Sequence, residues 1–270
     1  MPELPEVQTV IDTLRPRLLG RTIARVQLLR PDIVTPQNAT LDSFLTGRTI
    51  AAIDRRGKRI VFTLGSGDRF YFHLGMTGRL SVQPAAEPRP KHTHFVLTTQ
   101  DDGIGELRFS DPRRFGGIWW LGSDRPGDDG MGPEPLRTRP QALARRLART
   151  TRAIKNALLD QSVLAGLGNI YVDESLFAAG IHPLTPANAL SRQQIGRLSR
   201  AIKSTLRRAL RHRGSTLRDY RDADGAPGEF QKLHRVYDRK GQPCRCCRTP
   251  IERITLGGRS THFCPRCQPR

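Results

Sequence analysis

Two Cys-x2-Cys pairs dictate how the end of this chain must fold: Cys244 with Cys247, and Cys264 with Cys267, separated by 16 residues. Thiolates at this spacing on a tight turn converge on one ion, and two such knuckles build a tetrahedral four-sulfur site. The donor set suits zinc first, with iron as the alternative. Four protein ligands leave no open coordination position, so the metal is structural and takes no part in catalysis. Cys246 is surplus, either a spectator or an alternative ligand. His262 lies inside the motif, but Cys264 completes the better pattern. All five cysteines are crowded between 244 and 267. An odd number so placed is a poor disulfide framework and fits a reducing, cytoplasmic setting.

Charge narrows the partner. Lysine and arginine total 45 against 25 acids, a net charge of +20 over 270 residues. Such self-repulsion calls for a polyanion, nucleic acid before an anionic membrane surface. No apolar run approaches the length of a membrane span and nothing resembles a signal peptide.

Apolar residues Val7, Val10, Ile11, Leu14 and Leu18 recur at helical spacing, with Gly20 as a stop and Pro16 set to kink or shorten the last turn. Four stretches then read as strands: "TIARVQLL", "RTIAAIDRRGKRIVFTLGSGDRFYFHLG", "HTHFVLTT", and "GELRFSD" with "FGGIWWLG". Residues 2–125 therefore form one helix on a mostly antiparallel sandwich, and 126–137 read as a linker. Beyond it, "QALARRLARTTRAIKNALLDQ", "NIYVDESLFAAG" and "SRQQIGRLSRAIKSTLRRALRHRG" are helical. In the last of these, Ile195, Leu198, Ile202, Leu206 and Leu210 form one stripe. A loop from Gly214 to about Gln242 leads into the cysteines. The fold class is α+β, with a helical domain over 138–242 and a four-cysteine finger over 243–270.

Two further stretches carry chemistry. In "GLGNIY" the glycines break one helix and Asn169 is placed to cap the next, where backbone N–H groups suit a phosphate; a plain helical hairpin is the alternative. In "MPELPEV", removal of Met1 leaves Pro2 as a free secondary amine. A terminal amine has a reference pKa near about 8, so part of it is unprotonated at neutral pH and able to attack an electrophilic carbon. Glu3 and Glu6 stand ready to move protons. The alternative is an ordinary first turn in which both acids favour the positive helix end.

Together "MPELPEVQTV", "RRGK", "HLGMTGRL", "DPRRFG", "AGLGNIYVDESLF" and "GGRSTHFCPRC" resemble the bacterial formamidopyrimidine-DNA glycosylases, in the family's order and along the whole chain. The resemblance implies a bifunctional glycosylase and lyase that excises 8-oxoguanine and formamidopyrimidines from damaged double-stranded DNA as a monomer. It implies a β-sandwich with an N-terminal helix, a helix-two-turn-helix domain, a β-hairpin zinc finger, one structural zinc and no catalytic cofactor. By the same resemblance Pro2 is the nucleophile, Glu3 the acid that assists sugar opening, Glu6 its supporting carboxylate, and Lys58 the contact to phosphate beside the lesion. Met76, Arg113 and Phe115 fill the space left by the everted base. Asn169 and Arg259 clamp phosphates, Lys155 handles the damaged base, and the loop after Gly214 closes over it.

Gln8 stands where many relatives have glutamate, and Cys246 lies outside the family's four-cysteine pattern; neither touches a catalytic group. Two competing readings remain. One is an oxidised-pyrimidine glycosylase resembling endonuclease VIII, disfavoured by the complete Met76, Arg113 and Phe115 set. The other is a non-catalytic zinc-ribbon DNA-binding protein, which gives no reason for Pro2, Glu3 and Lys58 together.

Overall fold

The computed structural model describes every residue except Asp101, Asp102, Ile104, Pro126, Asp128 and Asp129. Three of these fall in the expected linker, whose start lies outside the described residues. The chain divides into two units: Met1–Asp129 with Arg213–Glu229, and Gly130–His212 with Phe230–Arg270.

The first unit begins with α1 (Leu4–Leu18), with Pro5 in the first turn, where no intrahelical N–H is required. Pro16 sits in its last turn, and Gly20 follows at φ +77, so the helix stops where the sequence indicates. Strands β1 (Ile23–Leu28), β2 (Val34–Thr35), β3 (Ile50–Arg56), β4 (Arg59–Leu64), β5 (Arg69–His73), β6 (Arg79–Gln83), β7 (Thr93–Thr99), β8 (Glu106–Ser110) and β9 (Gly117–Gly122) follow, with a short helix α2 (Leu41–Leu45) before β3. They form a four-stranded sheet ordered β1-β7-β8-β6 and a five-stranded sheet ordered β2-β9-β5-β4-β3. Every pairing is antiparallel except β2 with β9.

Alternation in β4 turns Ile60, Phe62 and Leu64 inward, and Phe72 meets Phe95 and Phe109 of the opposite sheet at ring centroid distances of 5.4 and 5.5 Å. Val7, Val10, Ile11, Leu14 and Leu18 of α1 join this same core. Each such burial is worth roughly 2 kcal/mol, which fixes α1 and hence the N-terminus on the sandwich. The very short β2 and α2, and β6 with only Leu80 and Val82 turned inward, gave too little pattern to be read from sequence.

Residues 213–229 correct the expected division. They pack in the first unit rather than with the helical residues that precede and follow them. Ala223 is fully buried in the sandwich core, its N–H donates to Thr13 Oγ1 at 3.2 Å, and Arg17 pairs with Asp224 at 2.6 Å.

The second unit contains α3 (Pro140–Leu147), α4 (Ile154–Leu159), α5 (Asn169–Ala179), α6 (Arg192–Arg211) and the hairpin β10 (Glu252–Leu256) and β11 (Arg259–Phe263). The stretch read as one helix from 141 to 161 breaks between α3 and α4. There Arg152 donates to the Thr150 hydroxyl and pairs with Asp160, and Ala153 bridges Pro186. Residues 130–137 are not a free tether. Gly132 N–H donates to the Gln161 carbonyl at 2.8 Å, and a Cβ on Gly132 would meet the Ser162 carbonyl oxygen at 2.6 Å. On α6 the stripe closes on buried Ala209, with Leu210 only half-buried. Among the described residues no helix is long and apolar enough to cross a membrane.

Candidate functional site

The start of α1 concentrates charge in a buried place. Glu3 and Glu6 are 3 % and 2 % exposed, Lys58 is 7 % exposed, and Pro2 is buried. Carboxylates are seldom buried unless hydrogen-bonded, and Glu6 is. Its Oε2 accepts the Glu3 N–H at 2.8 Å and its Oε1 accepts the Ser215 N–H at 2.7 Å. Tyr220 donates its hydroxyl to the Glu6 carbonyl at 3.2 Å. One side chain thus ties the N-terminus to the segment that enters the unit at 213. Gly214 is needed for this: at φ +78, a Cβ there would stand 2.5 Å from Glu6 Oε1.

The terminal amine, here that of Met1, feels these neighbours. Burial lowers its pKa from the ordinary value, Glu3 and Glu6 oppose that, and Lys58 and Arg113 reinforce it. A terminal amine whose pKa burial lowers, two acidic side chains and Lys58 share one locality. Such a set can attack an electrophilic carbon and deliver and remove protons beside it.

Met76, Arg113 and Phe115 come together on two adjoining turns. Met76 and Phe115 are 46 % and 56 % exposed, so neither belongs to the core. The Arg113 guanidinium lies over the Phe115 ring at 4.6 Å. The turns touch through backbone: a Cβ on Gly75 would meet the Phe115 carbonyl carbon at 2.5 Å.

Sequence reading missed what holds these turns. Asp111, fully buried, accepts from Thr77 Oγ1 at 2.5 Å, from Arg113 N–H at 3.2 Å and from Gly116 N–H at 2.7 Å. An aspartate opening the "DPRRF" turn was the available signal. His73 is the second omission: its Nδ1 accepts the Gly75 N–H at 3.2 Å. Burial, aided by Lys58 and Arg59, holds its pKa down to about 4, so it is neutral and able to accept.

In the second unit Asn169 is not the cap. Gly168 occupies that position and Asn169 is the first helical residue of α5. Its Nδ2 instead donates to the Ser260 carbonyl at 2.9 Å, next to exposed Arg259 on the hairpin. Asn169 and Arg259 are therefore neighbours although far apart in sequence. Lys155, expected to handle the damaged base, is fully buried. Its ammonium donates to Asp173 Oδ1 and to the Ser260 carbonyl, both at 2.7 Å, and Asp173 Oδ2 accepts the His262 N–H at 2.9 Å. Placed so, Lys155 presents no ammonium to a nucleic acid; it fixes the hairpin that carries Arg259.

The sulfurs of Cys244, Cys247, Cys264 and Cys267 lie within 4.8 Å of one another, with Cys244 to Cys267 at 3.9 Å and Cys247 to Cys264 at 3.4 Å. Zinc–sulfur bonds of about 2.3 Å give a tetrahedron with edges of about 3.8 Å, so the set fits zinc. Burial and the adjoining sulfurs push the Cys267 thiol well above its usual range, and a bound cation would reverse that by favouring the thiolate. Cys246 is exposed and contributes its backbone N–H to Cys244 Sγ at 3.4 Å, not its thiol.

Three family models match in order: the formamidopyrimidine-DNA glycosylase N-terminal domain over residues 1–118, the H2TH domain of the same enzymes over 131–221, and the zinc finger found in FPG and IleRS over 241–270. A formamidopyrimidine-DNA glycosylase of Symbiobacterium thermophilum is 48 % identical over 279 residues, covering 100 % of this chain and 90 % of that one. A Lactococcus lactis FPG variant solved with Fapy-dG-containing DNA has a TM-score of 0.93 at 36 % identity, with 100 % of both chains covered. A MutM structure with carbocyclic 8-oxo-G-containing DNA gives 0.91 at 36 % identity, again over 100 % of both chains. Matched in order by these three models and by a relative 48 % identical along its whole length, the chain belongs to the formamidopyrimidine-DNA glycosylase family.

Proposed function

We propose that the chain is a bifunctional DNA glycosylase and lyase that removes oxidised purines from duplex DNA with Pro2 as its nucleophile. The observation that carries this reading is the terminal amine set among Glu3, Glu6 and Lys58, where burial favours its neutral form. Removal of Met1 leaves the Pro2 nitrogen as the terminal amine, next in sequence to Glu3. Relatives solved with Fapy-dG and 8-oxo-G DNA support the substrate class.

A target atom inside a stacked duplex is out of reach, so the nucleotide leaves the stack at a cost of a few kcal/mol. Met76, Phe115 and Arg113 offset part of that by filling the space it vacates. The Pro2 lone pair attacks C1′, the damaged base departs with the bonding electrons and takes up a proton, and the Pro2 nitrogen releases its own N–H proton, which restores its lone pair. Glu3 protonates the ring oxygen, the sugar opens, and a cationic iminium joins Pro2 to C1′. That cation acidifies the 2′ carbon. Loss of its proton expels the 3′ phosphate, and a second elimination expels the 5′ phosphate. Glu6 acts through position, holding the Glu3 backbone and the segment after Gly214. Lys58 neutralises phosphate beside the lesion, while Asn169 and Arg259 hold the backbone without reading sequence. Zinc, when bound, supplies rigidity to the hairpin bearing Arg259.

Borohydride tests the nucleophile directly, because only an iminium is reduced to a stable crosslink. Wild type with 8-oxoguanine duplex traps covalently, Pro2→Gly traps far less, and a form retaining Met1 does not trap, since its proline nitrogen is a tertiary amide. Trapping by the Met1-retaining form at the wild-type rate overturns the assignment.

A further inference from the structure

The outer face of α6 is not accounted for by the chemistry above. This 20-residue helix contains no carboxylate and seven cations: Arg192, Arg197, Arg200, Lys203, Arg207, Arg208 and Arg211. At 3.6 residues per turn they fall within an arc of about 160° along a helix about 30 Å long. The opposite arc is apolar and packs on α5 and α3. Arg192, Arg197, Arg200, Arg207 and Arg211 are exposed, and among the described residues none of the seven forms an ion pair. Neighbouring α3 also lacks acids and exposes Arg145 and Arg146.

Cations three and four residues apart on a helix stand about 5–6 Å from one another, inside a Debye length of about 8 Å. They repel, and an array of phosphates relieves that repulsion while releasing its own counterions. A cavity of about 80 Å³ opens beside the arc, where Ser204, Thr205 and Arg208 meet Arg235. The carboxylate of Glu174 in its wall is occupied by the N–H groups of Arg235, Val236 and Tyr237 at 2.9–3.0 Å. Hydroxyls and guanidinium groups are the donors that take phosphate oxygens. The arc is also not the Arg259 surface. Helix α5 packs on β11 and α4 as well as on α6 and is buried along nearly its whole length, so α6 turns its cations away from it.

We infer that the basic arc of α6 is a second duplex-binding surface, engaged while a first duplex is held at the lesion site, so that the enzyme passes directly from one DNA segment to another. This rests on the DNA glycosylase reading above, and its test separates the two.

Full-length enzyme is bound to a fluorescent duplex carrying a stable abasic analogue, and unlabelled undamaged duplex is added at rising concentration. In wild type the dissociation rate rises in proportion to competitor at low salt. Four phosphate contacts give a salt slope of about 3.6, so this transfer falls about 100-fold between 50 and 200 mM salt. In the quadruple variant Arg197→Gln, Arg200→Gln, Arg207→Gln, Arg211→Gln dissociation is independent of competitor, while the first complex forms and single-turnover excision of 8-oxoguanine is unchanged. The matching quadruple lysine variant retains transfer, which separates loss of charge from loss of fold. A wild-type rate that ignores competitor, equal transfer by the glutamine variant, or a rate driven equally by phosphatidylglycerol vesicles overturns the inference. Failure of the first complex to form in wild type would instead strike at the glycosylase reading.

Discussion

Lys155→Met separates a positioning lysine from one that meets the substrate. Lys155 and Asp173 are both 0 % exposed and 2.7 Å apart. Methionine keeps the length of the side chain but removes the ammonium, leaving Asp173 charged in the interior beside the His262 N–H and the His262 ring, whose Nδ1 stands 3.4 Å from Oδ2. Breaking a buried pair in this way costs about 3–5 kcal/mol. For a unit of this size that lowers the melting temperature by roughly 10–20 °C. In Lys155→Met/Asp173→Leu the stranded charge is gone. What remains is the loss of partners for the Ser260 carbonyl and the His262 N–H, about 1 kcal/mol each, the first softened because Asn169 still donates there. The double variant is therefore more stable than Lys155→Met alone. The two units can be followed separately with zinc present. Both tryptophans, Trp119 and Trp120, lie in β9 of the first unit, whereas most helical residues lie in the second. The far-UV helix transition should fall while the tryptophan fluorescence transition stays in place. A loss below about 1 kcal/mol in Lys155→Met, or a double variant worse than either single, refutes the positioning role.

Chelation or Cys247→Ser should lower both hairpin order and DNA affinity, since zinc binding at four thiolates is largely folding energy, on the order of 10 kcal/mol in small fingers. Cys246→Ser should keep one zinc, measured by metal analysis; a stoichiometry of zero shows the ligand set to be wrong. Arg259→Ala should weaken intact and damaged duplex alike and reduce the salt slope by about one unit, whereas Asn169→Ala loses affinity with little change in slope. Phe115→Ala should leave melting nearly unchanged and slow 8-oxoguanine excision more than cleavage of a preformed abasic site; a parallel fall in both activities counts against the wedge. Burial depresses His73 in the first unit and His234 in the second to about 4 from an ordinary 6.5. The unfolded chain thus binds more protons between those values, so stability is complete above pH 6.5 and falls as pH drops toward 4. Urea midpoints that do not move across this window contradict it.

What was legible in the sequence follows from where the determinants lie. Val7 to Leu18 of α1, the alternating β4 and the paired cysteines carry their instructions within a few residues, and each formed as read. The buried acids beside the N-terminus and the exposed Met76 and Phe115 with Arg113 stood out in the sequence as residue types, and the structure groups them as neighbours. Long-range contacts were not legible. Nothing near Asn169 indicates that its amide is claimed by Ser260, and nothing near Lys155 indicates Asp173 eighteen positions on. Residues 213–229 look like loop by composition, yet Ala223 completes a core begun at residue 7.

That distant completion sets the order in which a working enzyme can come into being. Glu6 and Ser215, joined by one hydrogen bond, are 209 positions apart. At about 5–20 residues per second of synthesis, roughly 10–40 seconds separate their emergence from the ribosome. Until then the first unit lacks the buried Ala223, and the Glu6 Oε1 that Ser215 will satisfy is without that donor. A nascent or prematurely terminated chain therefore carries the acid-flanked N-terminus but not the segment after 213 that closes on Glu6, and that setting is complete only when the protein is nearly whole.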